Sequence, residues 1–495
     1  MKLASLAERI GLRIIGSEAV SVTGFAIDHR KVAPGTVFGA FQGAAFNAEE
    51  VIGQAIAAGA VAVVARPQAA VEGAVHIASD NPRRTFAQLA SGFFTPVPET
   101  IVAVTGTNGK TSSVEMTRQI WRMAGMRAAS IGTLGVTTPD ESVSTGLTTP
   151  DIVTFLANMS GLAREGVSHV AYEASSHGLA QYRNEGLTLS AAAFTNFSRD
   201  HLDYHGTMEA YFEAKMRLFD EVLPQNAPLV IHVDAEAGEW TRRAIDRAEA
   251  RGLDLRTVGA GGTFLRLAMR EPGQLGQTLS IEHAGEKRSV KLPLIGEYQA
   301  ANALVSAGLA LSTGIAPAAV FDALARLQPV RGRLERACLT PAGAPVYVDY
   351  AHTPDALEAA LAALRPHVSV GGRLIAVFGA GGDRDPGKRA PMGKVAAQRA
   401  DRIIVTDDNP RGEDAASIRA AILEGAGAEA QEIGDRREAI GVAVREAGQH
   451  DIILIAGKGH EQGQIIGSGE TMRILPFDDV EVARECAGAA SKEVF

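Results

Sequence analysis

Cysteine is almost missing from this chain: Cys338 and Cys486 are the only two in 495 residues. Two thiols are too few for a disulfide framework, and their spacing suits no zinc site. Both read as inert, partly buried thiols of a reducing compartment. Basic blocks are missing too. The net charge is −9 with no basic stripe, which argues against general nucleic-acid binding but leaves room for small anionic substrates, since these need only local positive charge. Long apolar runs are also absent. The longest, Ala55 to Ala65, is about half a membrane span and contains a glycine. Residues 1–16 read as a short amphipathic helix with Glu8 and Arg9 inside it, not as the apolar core of a signal peptide. A cytoplasmic protein without membrane insertion is expected. There is no internal repeat and no low-complexity tract.

What is present is ample core material, with 46% hydrophobic residues, 21% charged residues and 53 glycines. The length suggests about three domains. Residues 1–97 mix short strands (22–27, 36–41, 61–65, 75–78) with helical segments near 48–59 and 81–93. The stretch Phe94-Thr-Pro-Val-Pro98 then breaks regular structure twice, as a linker does. From 98 to 330, apolar strands near 101–105, 128–131, 169–173, 191–196, 229–233 and 255–258 alternate with helices. That alternation predicts a mostly parallel, doubly wound sheet. A polar, hairpin-like patch at 262–292 and helices at 298–313 and 317–327 follow. Residues 331–495 begin a second alternating series, with strands at 346–349, 374–378, 402–406 and 452–456. This is a Rossmann-like pattern without the G-x-G-x-x-G fingerprint. The expected fold class is α/β in three domains.

The most informative stretch is Ile101-Val-Ala-Val-Thr-Gly-Thr-Asn-Gly-Lys-Thr-Ser112. A buried strand feeds a glycine turn that opens a helix, so free N–H groups at the helix start point at an anion. Gly106, Thr107, Asn108, Gly109, Lys110, Thr111 and Ser112 form the candidate phosphate loop. Lys110 would neutralise outer phosphates and Thr111 would ligate Mg²⁺. Position 104 is Val, so the full G-x-x-x-x-G-K-[ST] pattern is not met.

Ligands of parallel α/β sheets bind outside the carboxyl ends of strands, and polar clusters follow several strands here. They are Tyr172-Glu-Ala-Ser-Ser-His-Gly-Leu179, Asn196-Phe-Ser-Arg-Asp-His-Leu-Asp-Tyr-His205 and Thr148-Thr-Pro150. The threonines could cap the next helix or hold an anion. Glu173 and His201 join Thr111 as candidate Mg²⁺ ligands. Lys215 shares one helical face with Tyr211, Leu218 and Phe219, and spacing alone favours a lysine that snorkels to water.

The order Thr-Gly-Thr-Asn-Gly-Lys-Thr, Thr-Thr-Pro, Glu-x-Ser-Ser-His-Gly-Leu and Ser-Arg-Asp-His-Leu-Asp-Tyr-His-Gly resembles the Mur ligases, the ATP-dependent amide-forming enzymes of peptidoglycan precursor synthesis. Leu294-Ile-Gly296 with Asn302, Gly332-Arg-Leu-Glu335, Val348-Asp-Tyr-Ala-His-Thr-Pro-Asp355, Gly381-Gly-Asp-Arg-Asp385, Asp408-Asn-Pro-Arg411 and Ala456-Gly-Lys-Gly-His-Glu461 extend the resemblance to about residues 22–464. It implies an N-terminal α/β UDP-binding domain, a central P-loop ATPase domain and a C-terminal Rossmann-like amino-acid-binding domain. It also implies ATP and Mg²⁺ as cofactors, and Lys110, Glu173, His201 and Lys215 as catalytic residues.

By resemblance, Lys215 carries a CO₂-derived carbamate and joins Thr111, Glu173 and His201 around the metal. Asn302, Arg333 and Asp349 contact ATP. Ile27, His29, Thr148, Thr149, Ser175, Gln181 and Arg183 contact the UDP-sugar peptide. Asp408-Asn-Pro-Arg411 marks the branch that adds meso-diaminopimelate to UDP-N-acetylmuramoyl-L-alanyl-D-glutamate. Arg384, Asp408, Asn409, Pro410, Arg411, Gly457 and Glu461 then bind that amino acid. Diaminopimelate has one more carboxylate than lysine, and a planar guanidinium suits it; buried arginines left unpaired would reject lysine.

The resemblance weakens in the first domain, where His29 replaces the family's serine and Asn47-Ala48 its Asp-Gly. Asp408–Arg411 and the extra N-terminal domain speak against a lysine-adding or folylpolyglutamate-type ligase. The intact ligase set speaks against a non-catalytic nucleotide-binding protein. A monomer is expected.

Overall fold

The computed structural model describes residues 1–488 except 13, 15, 18, 44, 45 and 144–147. The chain divides into two compact units: residues 1–265 with 304–320, and residues 266–303 with 321–495.

The first unit opens with the helix Leu3–Arg9, shorter than the expected 1–16. Leu3, Leu6 and Ala7 are buried, while Gly11 turns the chain with φ +68° and ends the helix. Residues 13 and 15 of that expected helix lie outside the described residues. Four parallel strands follow: Gly24–Ala26, Thr36–Gly39, Ala60–Ala65 and Val75–Ala78, paired in that order.

The same unit holds the larger parallel sheet. Its strands run Asp254–Gly259, Pro228–His232, Ala191–Phe194, Thr100–Thr105, His169–Glu173, Ala128–Gly132, then the antiparallel Gly135–Thr137 and Ser142–Val143. The strand before the phosphate loop is therefore central, with Ala191–Phe194 on one side and His169–Glu173 on the other. Chain order departs in both directions from it, which makes a topological switch point. Val102, Ala103 and Val104 are fully buried, as expected for a strand covered on both faces.

The second unit opens at Arg266, the second residue of an antiparallel meander, Leu265–Gly273, Gly276–His283 and Glu286–Leu292, where the sequence shows a hairpin-like patch. Its six-stranded sheet runs Glu335–Leu339, Pro345–Asp349, Ile452–Ala456, Leu374–Phe378, Arg402–Val405 and Gln431–Glu432. All neighbours are parallel except the first pair. Leu374, Ala376 and Phe378 enter one core and Ile375 and Val377 the other, the period-2 alternation of a strand buried on both faces. A separate hairpin pairs Gly463–Ile466 with Arg473–Pro476. Among the described residues no helix is long and apolar enough to cross a membrane.

Candidate active site

The phosphate loop owes its shape to two glycines. Gly106 has φ +140° and Gly109 has φ +83°, and Gly109 is the N-cap of the helix Lys110–Met123. A Cβ on Gly106 would lie 2.0 Å from Thr195 Oγ1, so only glycine fits there. The neighbouring strand end braces the loop. Thr107 N–H donates to the Asn196 carbonyl (2.9 Å), Asn108 N–H to Asn196 Oδ1 (2.9 Å), and Thr195 Oγ1 to the Asn108 carbonyl (2.6 Å). Tyr211 Oη reaches Thr107 Oγ1 at 3.3 Å. Sequence reasoning missed Thr195, Asn196 and Tyr211 as loop supports. The signal was the polar Thr-Asn immediately after an apolar strand.

Lys110 folds back over the loop, its Nζ donating to the Thr107 carbonyl (2.8 Å) and the Gly106 carbonyl (3.1 Å). Lys215 Nζ donates to the same Gly106 carbonyl at 2.7 Å. The snorkelling reading of Lys215 is thus overturned: its side chain is 1% exposed. The helix Met208–Arg217 packs that face inward, and Phe212, Met216 and Phe219 of this segment are buried in the core. Burial, and then the charge of Lys110, push the Lys215 pKa well below the ordinary lysine range.

Glu173 is buried, with Oε1 accepting from Thr133 N–H (2.6 Å) and Oε2 from Thr133 Oγ1 (3.2 Å). Thr133 also contacts Thr148 Oγ1 at 3.1 Å and was not foreseen. His201 adopts φ +51° beside Asp200 (Nε2 to Oδ2, 3.4 Å) and stacks edge-on against His177. Among the described residues no three His, Cys, Asp or Glu side chains converge as a metal cage. Thr111 and Ser112 are buried at the helix start.

The helix after Thr148-Thr-Pro150 is capped by Asp151, which accepts from Val153 and Thr154 N–H groups. The threonines do not cap it: the carboxylate of Asp151, two residues beyond Thr149, takes the position. Thr149 instead donates to the Glu173 carbonyl (2.9 Å) and meets Ser175 Oγ (2.9 Å). Ser175 caps the short helix Ser176–Ala180. Arg183 joins this group, with Nη1 on the Thr149 carbonyl (2.8 Å) and Nη2 on Gln181 Oε1 (2.6 Å). Thr148, Thr149, Ser175, Gln181 and Arg183 are therefore one connected patch beside Glu173. Further along the first unit, Ile27 and His29 line a pocket of about 350 Å³ with Phe38, Phe46, Ala48 and Val51. Asn47 spends its side chain capping the turn at Glu49.

In the second unit, Gln299 Nε2 donates to the Arg333 carbonyl and Gln299 Oε1 accepts from Asn302. Arg333 lies over the Tyr350 ring, 5.0 Å from its centroid. Asp349 is buried and accepts from Leu334 N–H (2.8 Å) and Ala351 N–H (2.9 Å), so it shapes this corner. Burial pushes its pKa up.

Strand ends bring Asp408–Arg411, Gly379–Arg384 and Gly457–Glu461 together. Asn409 Nδ2 donates to Glu461 Oε2 (2.8 Å) and Arg411 Nη1 to the Gly382 carbonyl (2.9 Å). A Cβ on Gly457 would lie 2.7 Å from Asp408 Oδ2. Pro410 is buried, with its carbonyl against Gly382. The expectation of buried arginines fails: Arg384 is exposed and Arg411 only half-buried. Keeping a guanidinium at the surface avoids the several kcal/mol that burying its charge costs.

Residues 104–310 match the Mur ligase middle domain and residues 332–459 the Mur ligase glutamate ligase domain. A relative from Zymomonas mobilis, a UDP-N-acetylmuramoyl-L-alanyl-D-glutamate–2,6-diaminopimelate ligase, is 58% identical over 94% of each chain. The chain belongs to the Mur ligase family. A ligase of the same name from Bradyrhizobium diazoefficiens is 50% identical, again over 94% of each chain. A solved structure of a ligase with that name aligns over 99% of both chains, with 32% identity and a TM-score of 0.75. A MurF ligase from Thermotoga maritima, solved with ADP, shares the fold at 19% identity and a TM-score of 0.59, over 89% of this chain and 95% of its own.

Proposed function

We infer that this Mur ligase is an ATP-dependent amide ligase of peptidoglycan precursor synthesis in the cytoplasm. It adds meso-diaminopimelate to the D-glutamate of UDP-N-acetylmuramoyl-L-alanyl-D-glutamate. Its domains are 1–97 for the UDP end, 98–330 for ATP and 331–495 for the amino acid. The observation that carries this reading is the intact site in relatives' company: Lys110 and Lys215 on one phosphate loop, Glu173 at the end of the strand beside it, and Asp408-Asn-Pro-Arg411 at strand ends, in a chain 58% identical to a ligase of that name.

The chemistry joins two unreactive ionic partners. The D-glutamate side-chain carboxylate attacks the γ-phosphorus of ATP, giving an acyl phosphate and ADP. The amine of diaminopimelate then attacks that carbonyl, and phosphate leaves the tetrahedral intermediate. Nucleophile and phosphates are all anionic, so the chain's task is electrostatic: Lys110 and the helix start at Gly109 offset the repulsion and hold the reactants in line. No protein nucleophile is needed. Ile27 and His29 flank the uridine, Thr148, Thr149, Ser175, Gln181 and Arg183 hold the sugar peptide, and Asn302, Arg333 and Asp349 frame the ATP.

Mg²⁺ fits the donors in one respect. It keeps several waters and asks for only one or two protein oxygens beside the substrate phosphates, which the hydroxyl of Thr111 and the carboxylate of Glu173 would provide, with His201 the further candidate ligand. Bound there, it neutralises developing phosphoryl charge. Lys215 as a free amine cannot join. Its suppressed basicity suits attack on CO₂, in which the nitrogen forms a C–N bond and loses a proton to water, leaving an anionic carbamate beside Lys110.

Arg411, with Arg384, Asn409, Gly457 and Glu461, takes the amino-acid end. Phosphate release with ATP and UDP-N-acetylmuramoyl-dipeptide tests the reading. Release is expected with meso-diaminopimelate and not with L-lysine; no release with either amino acid refutes it.

A further inference from the structure

The residue that holds the Asp408–Arg411 segment in shape is Lys458, to which the family resemblance gives no role. Its side chain is fully buried. Nζ donates to Asn409 Oδ1 (2.8 Å) and to the Gly463 carbonyl (2.8 Å), and lies 3.4 Å from Asp408 Oδ1. It thus ties the Asp408–Arg411 segment to the hairpin of Gly463–Ile466 and Arg473–Pro476.

The hairpin returns the contact at four further points. Ile465 N–H donates to Asn409 Oδ1 (2.9 Å) and Gln464 Nε2 to the Asp408 carbonyl (2.7 Å). Arg411 N–H donates to the Ile465 carbonyl (3.1 Å), and Gly467 N–H to the Arg411 carbonyl (2.7 Å). The last two bonds hold Arg411 at φ +54°, a conformation that costs a side-chain-bearing residue about 1–3 kcal/mol. A two-stranded hairpin is marginal alone, and Met472, Ile474 and Leu475 of this one are exposed. Its place therefore depends on these attachments, and the Arg411 backbone depends on its place.

We propose that Lys458 is a positioning residue that pins the 463–476 hairpin to Asp408–Arg411 and thereby sets the preference for diaminopimelate over lysine. Lys458 is also surrounded by the groups assigned to the amino-acid end, with Glu461 Oε2 at 4.0 Å. Removing its ammonium leaves Asn409 Oδ1 with the Ile465 donor alone among the described residues and frees the hairpin at Gly463. Arg411 then relaxes from the left-handed region and its guanidinium leaves the position that a second carboxylate needs. The proposal rests on the reading that Arg411 recognises that carboxylate.

The test uses the full chain and kinetics for meso-diaminopimelate, L-lysine and ATP in wild type, Lys458→Met, Gln464→Ala and Arg411→Ala. Lys458→Met is expected to raise the KM for diaminopimelate at least tenfold and to lower the diaminopimelate-to-lysine ratio of kcat/KM at least tenfold. The KM for ATP should stay within twofold. Gln464→Ala should move the same ratio about threefold. A merely structural lysine would lower the amount of active enzyme and leave the ratio alone, so a folded Lys458→Met with an unchanged ratio overturns the proposal. If Lys458→Met does not fold, Gln464→Ala decides by the same ratio, a fall supporting the proposal and no change overturning it. An Arg411→Ala enzyme that keeps the wild-type ratio refutes the reading of Arg411 and the proposal with it. Loss of the ratio in Arg411→Ala but in neither other variant refutes the proposal alone.

Discussion

Replacing Lys215 with Met should separate stability from activity. The lysine Nζ makes one hydrogen bond, to the Gly106 carbonyl, and lies 4.6 Å from the centre of the Tyr211 ring. Losing that bond costs about 1 kcal/mol net and losing the cation–π contact about another 1 kcal/mol. The Gly106 carbonyl is not orphaned, because Lys110 Nζ remains 3.1 Å away. Against these losses stands the removal of an amine that is 1% exposed beside a second lysine. Desolvating such an ion costs several kcal/mol, and methionine has nearly the same length without the charge. The balance is neutral or stabilising. Activity should nonetheless fall at least a thousandfold, about 4 kcal/mol of transition-state stabilisation, if Lys215 acts as a carbamate. Lys215→Ala should be equally inactive and partly rescued by short carboxylates such as acetate. Urea melts in CO₂-free buffer and initial rates per mole of folded enzyme measure both sides. A Lys215→Met enzyme destabilised by more than about 2 kcal/mol with near-wild-type turnover would rule out the carbamate role and make the lysine an internal strut.

Three other outcomes follow from the geometry. Gly106→Ala places a methyl group against Thr195 Oγ1 at 2.0 Å and should weaken ATP binding at least tenfold by calorimetry, with the UDP-sugar affinity unchanged. Arg411→Ala should impair use of diaminopimelate tenfold or more while the KM for ATP holds; equal losses in both would contradict its role. His460, held down to about 4 from 6.5 by burial and then by Arg333 and Arg331, is neutral when folded and protonated when unfolded between those values. Stability should therefore rise with pH from 4 to 6.5, by about 2 kcal/mol for this group after allowing for its partial exposure. A His460→Gln variant should lack that part of the rise in melts taken across the window.

The strands were legible because their burial is two-sided: the runs at 169–173, 374–378 and 452–456 coincide with those observed. Helix limits were less so, since the first helix stops where Gly11 turns the chain. The phosphate loop was legible because Gly106, Gly109 and Lys110 do local work. Its bracing was not, because Thr195, Asn196 and Tyr211 reach it from about 90 to 100 positions away in the chain, and a polar pair after a strand does not say which loop it braces. Lys215 shows the limit from the other side. Helical spacing placed it correctly on an apolar face, but spacing cannot tell a face that meets solvent from one that meets the core. Lys458 stood inside a recognised motif, yet its role depends on a hairpin whose attachment no periodicity foretells.

Selective addition of diaminopimelate is measured most directly by the mass of the product formed from ATP, UDP-N-acetylmuramoyl-L-alanyl-D-glutamate and an equimolar mixture of meso-diaminopimelate and L-lysine. A single nucleotide-linked tripeptide carrying diaminopimelate, formed in step with ADP, is expected. A lysine-bearing tripeptide, or ADP formed without any tripeptide, would contradict it.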